Sequence, residues 1–217
     1  MFQQNDTGLW LERRTAKSFV GRPSLFLDRD GVVVEEVHFL KSPTDVRIAP
    51  GVAEAIAKAN ALDVAVVVVT NQSGVARGLL DWSDFAAVQD RLYDLLTEGE
   101  ATVDLVLACG YHPNGIGALA KEHEWRKPNP GMFLEAGRLL GLDLQNSFII
   151  GDRMTDLDAG RAAGLNAGAL VLSGYGAVEW QRHGAEILDR QSVFAVAYSE
   201  NGATAILNWI NSVGSNL

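Results

Sequence analysis

Two aspartates, Asp28 and Asp30, stand two residues apart between an apolar run at 25–27 and Gly31. Carboxylates at the end of a buried strand lie where α/β proteins bind ligands, just beyond the carboxyl edge of the sheet. A pair there can hold a hard divalent cation, or divide nucleophile and acid roles. Alone, the same pattern also suits a calcium loop or a plain turn. Three further groups accompany it. Thr70-Asn71-Gln72-Ser73 closes a valine-rich run and offers hydroxyls and backbone N–H groups to phosphate oxygens, although a helix-capping turn reads the same way. Arg126-Lys127 precedes Pro128: the lysine can neutralise a phosphoryl group and the arginine can grip a second anion, but a solvated basic turn has the same composition. Asp152 follows Gly151, and Asp156 lies four residues on, which places both on one side of a first helical turn; Asp156 also suits a helix N-terminus.

These groups need a scaffold, and strand and helix patterns alternate along the chain in the manner of a parallel sheet wrapped by helices. Strands are expected at 25–28, 64–70, 103–108, 148–150 and 169–172. The second is all apolar up to Thr70, the mark of a strand buried on both faces. Helices are expected from Pro50-Gly51 to about Leu62, after Asp81, from Asn129 to just before Gly141, from Asp152 to near Gly164, and over 204–212. After Asp81, the residues Phe85, Val88, Leu92, Leu95 and Leu96 make one apolar stripe. No repeat, low-complexity run or linker interrupts the pattern. The expectation is one domain over 1–217, with a core at about 24–176 and residues 177–217 completing it.

A chain of 217 residues with 47% hydrophobic and 21% charged residues has the composition of an ordinary globular protein. A net charge of −9 disfavours a general nucleic-acid or anionic-membrane binder, so a phosphate-bearing partner must be held by a local cluster or a metal. One cysteine allows no internal disulfide and fits a reducing compartment. The longest uniformly apolar stretch is far too short for a membrane span, and residues 1–20 lack a signal-peptide core, so a cytoplasmic location is expected.

The order Asp-x-Asp, Thr, Lys, Gly-Asp resembles the haloacid-dehalogenase-like (HAD) superfamily of phosphohydrolases, over roughly residues 25–176. Within it the strings Leu27-Asp28-Arg29-Asp30-Gly31, 69–78 (VTNQSGVARG) and 126–132 (RKPNPGM) are most similar to the D,D-heptose 1,7-bisphosphate phosphatases, with histidinol-phosphate phosphatases as near relatives. The resemblance implies a three-layer, Rossmann-like, doubly wound parallel sheet without a separate cap domain. It implies Asp28 as nucleophile, Asp30 as general acid and base, and Thr70 and Lys127 on the phosphoryl oxygens. It further implies Asn71, Gln72, Ser73 and Arg126 at the substrate. Mg²⁺ would be held by Asp28, the Asp30 carbonyl and Asp152, with Asp156 orienting that set.

The chain departs from that family in one loop. The zinc-binding form Cys-x-His-His-Pro, then Cys-x-Cys-Arg-Lys-Pro, reads here Cys109-Gly110-Tyr111-His112-Pro113 and His123-Glu124-Trp125-Arg126-Lys127-Pro128. Only Cys109 is unchanged among the ligands, and Tyr111 and Trp125 are poor zinc ligands. A rearranged set of Cys109, His112 and His123 is the metal-bound alternative; the expectation is that aromatic packing replaces zinc. A smaller departure is Val32, where the family commonly has a hydroxyl residue. The intervals before Thr70 and before Lys127 have no room for a cap, which leaves specificity to loops at 35–41, 74–80 and 109–125. His38 and Phe39 in the first are candidates for sugar contact. The expected protein is a monomeric, Mg²⁺-dependent phosphatase of a small phosphorylated metabolite, foremost a sugar bisphosphate. A histidinol-phosphate or other monophosphatase is the alternative enzyme, and a non-catalytic phospho-ligand-binding HAD domain the alternative class. Neither a nucleic acid nor a membrane is an expected partner.

Overall fold

The computed structural model describes residues 7–189 and 194–213. The reading of 1–20 and 177–217 therefore falls partly outside the described residues. Seven strands form one sheet: β1 (Leu9–Arg13), β2 (Ser24–Leu27), β3 (Ala65–Asn71), β4 (Leu105–Cys109), β5 (Phe148–Gly151), β6 (Ala167–Val171) and β7 (Ala195–Ser199), in the order β1-β4-β3-β2-β5-β6-β7. β1 runs antiparallel to β4, and the remaining neighbours are parallel. Without β1, the parallel strands follow the doubly wound order, whose direction reverses between β2 and β5. Asp28 leaves β2 and Asp152 leaves β5, so the two stand on either side of that reversal.

The sheet is buried on both faces, and adjacent residues of one strand serve opposite layers. Leu25, Leu27, Val66, Val68 and Ile150 pack with α1 (Val52–Ala61), α3 (Trp82–Glu98) and α7 (Gly202–Val213). Phe26, Val67, Val69, Ile149 and Leu170 pack with α4 (Gly131–Leu140) and α5 (Met154–Ala162) on the other side. Full burial of such a side chain contributes about 1.5–3 kcal/mol of transfer free energy. α2 (Ser73–Ala76) is a single turn after β3, and α6 (Gly176–Asp189) leads toward β7. Local signals set the helix ends. Asp81 caps α3 by accepting from Ser83 N–H and Asp84 N–H, while Asp84 returns a bond to Asp81 N–H.

Four elements went unforeseen in the sequence: β1, the single turn α2, α6 and β7. β1 is an edge strand with a single buried residue, Trp10, and β7 lies at the other edge and is mostly exposed although its sequence, AVAYS, is largely apolar. No helix among the described residues is long and apolar enough to cross a membrane.

Candidate active site

The ends of β2, β3 and β5, and the loop before α4, converge on a cavity of about 350 Å³. Its lining includes each of the site residues expected from sequence: Asp28, Asp30, Thr70, Asn71, Gln72, Ser73, Arg126, Lys127, Asp152 and Asp156.

Lys127 is the hub. It is 2% exposed, and its Nζ lies 2.9 Å from Asp28 Oδ1, 2.5 Å from Asp156 Oδ1 and 2.8 Å from the Val69 carbonyl. Burial opposes its charge, but Asp156 and Asp28 outweigh that and hold it well above the ordinary lysine range. Asn71 fixes the lysine from behind: its Oδ1 accepts from Lys127 N–H and its Nδ2 donates to the Lys127 carbonyl, each at 3.0 Å. The Asn71 amide thus acts on the Lys127 backbone although the residue borders the cavity.

Asp28 is buried and accepts from Arg29 N–H at 2.9 Å as well as from Lys127. Burial pushes its carboxyl up to about 7; Lys127 opposes this, and Asp156 and Asp30 add to it. Asp152 is pushed to about 8 by burial first, then by Asp28 and Asp156. Its Oδ2 accepts from Tyr175 N–H at 2.8 Å, whereas its Oδ1 is buried without a hydrogen-bond partner among the described residues. Oxygens of Asp28, Asp152 and Asp156 all lie within 4.8 Å of one another. Asp156 is already engaged, with one oxygen on Lys127 and the other accepting from Arg153 N–H at the start of α5. Asp28 and Asp152 remain to face a cation. An uncompensated buried carboxylate oxygen beside two repelling neighbours fits a hard divalent ion. Close packing enforces this: Gly31 and Gly174 both have positive φ, and a Cβ on either would collide with Asp152 Oδ2.

Asp30 is held from two sides. Arg29, 1% exposed, donates to both Asp30 oxygens through Nη2 at 2.9 Å, and Gln72 Nε2 donates to Oδ2 at 2.9 Å. Gln72 Nε2 is also 2.9 Å from Thr70 Oγ1, tying the hydroxyl to the carboxylate. Arg29 reaches Gln89 Oε1 at 3.2 Å and lies over the Phe85 ring, so α3 anchors the clamp.

Sequence reasoning missed Arg29 and Tyr175. Arg29 sits inside the Asp-x-Asp motif, but its burial depends on Gln89, 60 residues away. Tyr175 carries no local signal at all. The Arg153 guanidinium stacks 3.7 Å from the Tyr175 ring centroid, and the phenol lies 3.5 Å from His38 Nδ1, forming one wall of the cavity. The opposite wall is the loop after β4. There Tyr111 and His123 stack at 4.6 Å between centroids with planes 7° apart, Lys121 Nζ lies over Tyr111, and Trp125 is buried. His123 Nδ1 accepts from Trp125 N–H, so the stack is also fixed to the backbone.

The chain matches a family model described as HAD-hydrolase-like over residues 124–193. It is 49% identical over 168 residues to the D-glycero-beta-D-manno-heptose-1,7-bisphosphate 7-phosphatase of Mesorhizobium japonicum, a stretch covering 76% of this chain and 77% of that protein. A solved HAD-like protein from Mesorhizobium loti superposes with a TM-score of 0.84 at 39% identity, covering 99% of this chain and 97% of that one. The D,D-heptose 1,7-bisphosphate phosphatase of B. bronchiseptica, complexed with magnesium and phosphate, superposes with a TM-score of 0.75 at 32% identity, covering 87% and 99%.

Proposed function

The chain belongs to the heptose-1,7-bisphosphate 7-phosphatases of the HAD-like hydrolases, and we propose that it removes one phosphate from such a sugar bisphosphate through a phosphoryl group carried transiently on Asp28. It is a phosphoric monoester hydrolase. One observation carries the substrate reading: a single cavity joins the Asp28–Lys127–Asp152 centre to a rim of three arginines, Arg77, Arg126 and Arg153. In a chain of net charge −9, that concentration of cations suits a ligand with anionic groups at both ends.

Asp28 would hold the Mg²⁺ together with Asp152 and the Asp30 carbonyl, and Asp156 would orient that set through Lys127. Bound there, the ion would offset the repulsion between an anionic nucleophile and an anionic phosphate. Asp28 attacks phosphorus while Lys127 Nζ and Thr70 Oγ1 hold phosphoryl oxygens. Asp30 gives a proton to the departing sugar oxygen, then takes one from the water that hydrolyses the phosphoryl-aspartate. Arg29 and Gln72 position Asp30 for both tasks. Ser73 and Arg126 both line the cavity, where Ser73 would meet the phosphate and Arg126 the remainder of the substrate. In the loop after β4, the Tyr111–His123 stack stands in for zinc, with Trp125 packed beneath and Cys109 buried in β4.

The test is phosphate release by protein stripped with a chelator and reloaded with Mg²⁺ alone. Its substrates are heptose 1,7-bisphosphate, sugar monophosphates and histidinol phosphate. The heptose bisphosphate should give the highest kcat/KM. Preference for histidinol phosphate would overturn the substrate assignment, and dependence on added zinc would overturn the aromatic account of the loop.

Magnesium binding should depend on pH with a definite sign. Asp28 and Asp152, raised to about 7 and about 8, hold protons in the folded, metal-free protein that the unfolded chain releases near the ordinary aspartate value. The folded state therefore binds more protons across that window, and metal-free stability falls as pH rises through it. The ion binds the deprotonated pair, so its affinity rises over the same window. The increase in Tm at saturating Mg²⁺ is expected to be larger at about pH 8 than at about pH 6. Equal increases at both would contradict the assignment of these two carboxylates as ligands.

A further inference from the structure

The clamp on Asp30 does not end at α3. Arg29 Nε lies 3.1 Å from Asp30 Oδ1 and Nη2 reaches both carboxylate oxygens, while Nη1 donates to Gln89 Oε1 at 3.2 Å. Gln89 Nε2 faces Tyr93 Oη at 3.5 Å, and the Tyr93 hydroxyl donates to Glu12 Oε2 at 2.8 Å. The other oxygen of Glu12 accepts from Arg14 Nη1 at 2.9 Å, and the Arg14 guanidinium lies 3.5 Å over the Tyr93 ring. A continuous polar chain thus joins Asp30 to the edge strand β1, although no residue of β1 lines the cavity.

Each link has a single possible sense. An arginine only donates and a carboxylate only accepts. Gln89 must therefore turn Oε1 toward Arg29, which leaves its amide N–H for Tyr93 and the Tyr93 proton for Glu12. Burial first, then Glu12, raises the Tyr93 phenol well above its ordinary range, so the hydroxyl stays a donor. Gln89 and Tyr93 are buried on the inward face of α3, beside Phe85, Val88, Leu92 and Leu96. An amide and a hydroxyl are costly to bury in such a face unless paired, and Arg29 and β1 supply the pairing. A second contact runs alongside. Trp10 lies two residues before Glu12, on the same face of β1. It meets Phe85 edge-on at 5.1 Å between centroids, and the Arg29 guanidinium lies over that Phe85 ring.

We propose that Glu12 and Tyr93, acting through Gln89 and Arg29, are positioning residues for the general acid Asp30, so that β1 governs the orientation of a carboxylate it never touches. Arg29 is buried, and water does not replace a lost partner there. Once Tyr93 or Glu12 no longer fixes Gln89, the guanidinium loses its far anchor and Asp30 turns with it. Small misplacements of a reacting group are costly in rate even when their source is remote. This rests on the reading of Asp30 as general acid, but it can fail separately from it.

The experiment measures kcat/KM for heptose 1,7-bisphosphate and for p-nitrophenyl phosphate in the wild type, Tyr93→Phe, Glu12→Leu and Glu12→Gln, with Tm as a check on folding. This constant covers the steps up to transfer of the phosphoryl group onto Asp28. In that transfer a sugar oxygen departs with a proton from Asp30, whereas p-nitrophenolate departs without one. Tyr93→Phe and Glu12→Leu should lower kcat/KM about tenfold for the bisphosphate and by less than about twofold for the aryl phosphate. Glu12→Gln keeps an acceptor for the Tyr93 hydroxyl and should stay near wild type. A merely structural role would lower both substrates alike. A ratio between substrates within about twofold of wild type, in either Tyr93→Phe or Glu12→Leu, overturns the proposal and leaves the role of Asp30 standing. The NMR signal of Arg29 Nε–H supplies a readout independent of turnover. Its exchange with water should quicken about tenfold in Tyr93→Phe, while the Val68 amide of β3 exchanges as in wild type. If the wild type turns over neither substrate and that change still occurs, the catalytic reading of Asp30 fails and the positioning chain stands. Unchanged exchange at Arg29 overturns the chain.

Discussion

Asp28→Asn is expected to lower kcat for the heptose bisphosphate by at least ~10⁴-fold, the scale on which enzymes lose activity when the covalent nucleophile is removed. The amide keeps the shape of the carboxylate and its place at the end of β2, so the loss reports chemistry rather than collapse. Stability supports that separation. Asp28 is buried, and its charge is opposed by burial and by Asp156 and Asp30. Replacing it with a neutral group removes repulsion that also raises Asp152, while Lys127 keeps Asp156 as a partner. The metal-free variant should therefore melt no lower than wild type near pH 8. Trapping with borohydride during turnover should convert residue 28 to homoserine in the wild type and leave the variant unmodified. Retention of more than about one per cent of kcat would remove Asp28 from the role of nucleophile.

Where the sequence was legible, local physics decided the outcome. The unbroken valines of β3 could only be a strand covered on both faces, and Val66 to Val69 are fully buried. Asp81 capped its helix as its type and position required; Asp152 and Asp156 also came together, but not as one helical turn, since Asp152 lies between β5 and the extended N-cap Arg153 and only Asp156 stands in the first turn of α5. The illegible parts are those in which a side chain answers to something distant. Asn71 reads as a phosphate-facing polar residue, yet its amide is spent on the backbone of Lys127, 56 positions away. Arg29 reads as a spacer between two aspartates, and its clamp on Asp30 exists only because Gln89 and Phe85 of α3 receive it. Arg77 and His112 are 35 positions apart, and no spacing rule brings them to one point. β1 stayed hidden for the same reason: its single inward residue, Trp10, gains meaning only from pairing with β4 and packing on Trp82 and Phe85.

Lys127→Met should damage stability and catalysis together, with pH separating the two. The ammonium is the shared counter-charge of Asp28 and Asp156, and all three groups are buried. Removing one partner from a buried ionic cluster costs about 3–5 kcal/mol, because the remaining charges lose compensation while still desolvated. Those carboxylates can escape the cost by taking up protons. In the wild type Lys127 lowers the Asp28 value, so its loss moves that value further up from about 7. The folded variant then holds protons that the unfolded chain does not, and its stability falls as pH rises. The deficit relative to wild type should be largest near pH 8 and shrink toward about pH 5.5, where the carboxylates are neutral at less cost. Denaturant unfolding at the two values would measure this directly. Catalysis should behave differently: with no cation on the phosphoryl oxygens, kcat should fall by about 10²–10³ even where the variant is fully folded. Mg²⁺ would restore part of the stability, since it supplies positive charge to Asp28 and Asp152, but it would not restore kcat, since it does not take the place of Nζ between Asp28 and Asp156. A variant as stable as wild type near pH 8, or with kcat within tenfold of it, would mean that Lys127 is not the group that balances this site.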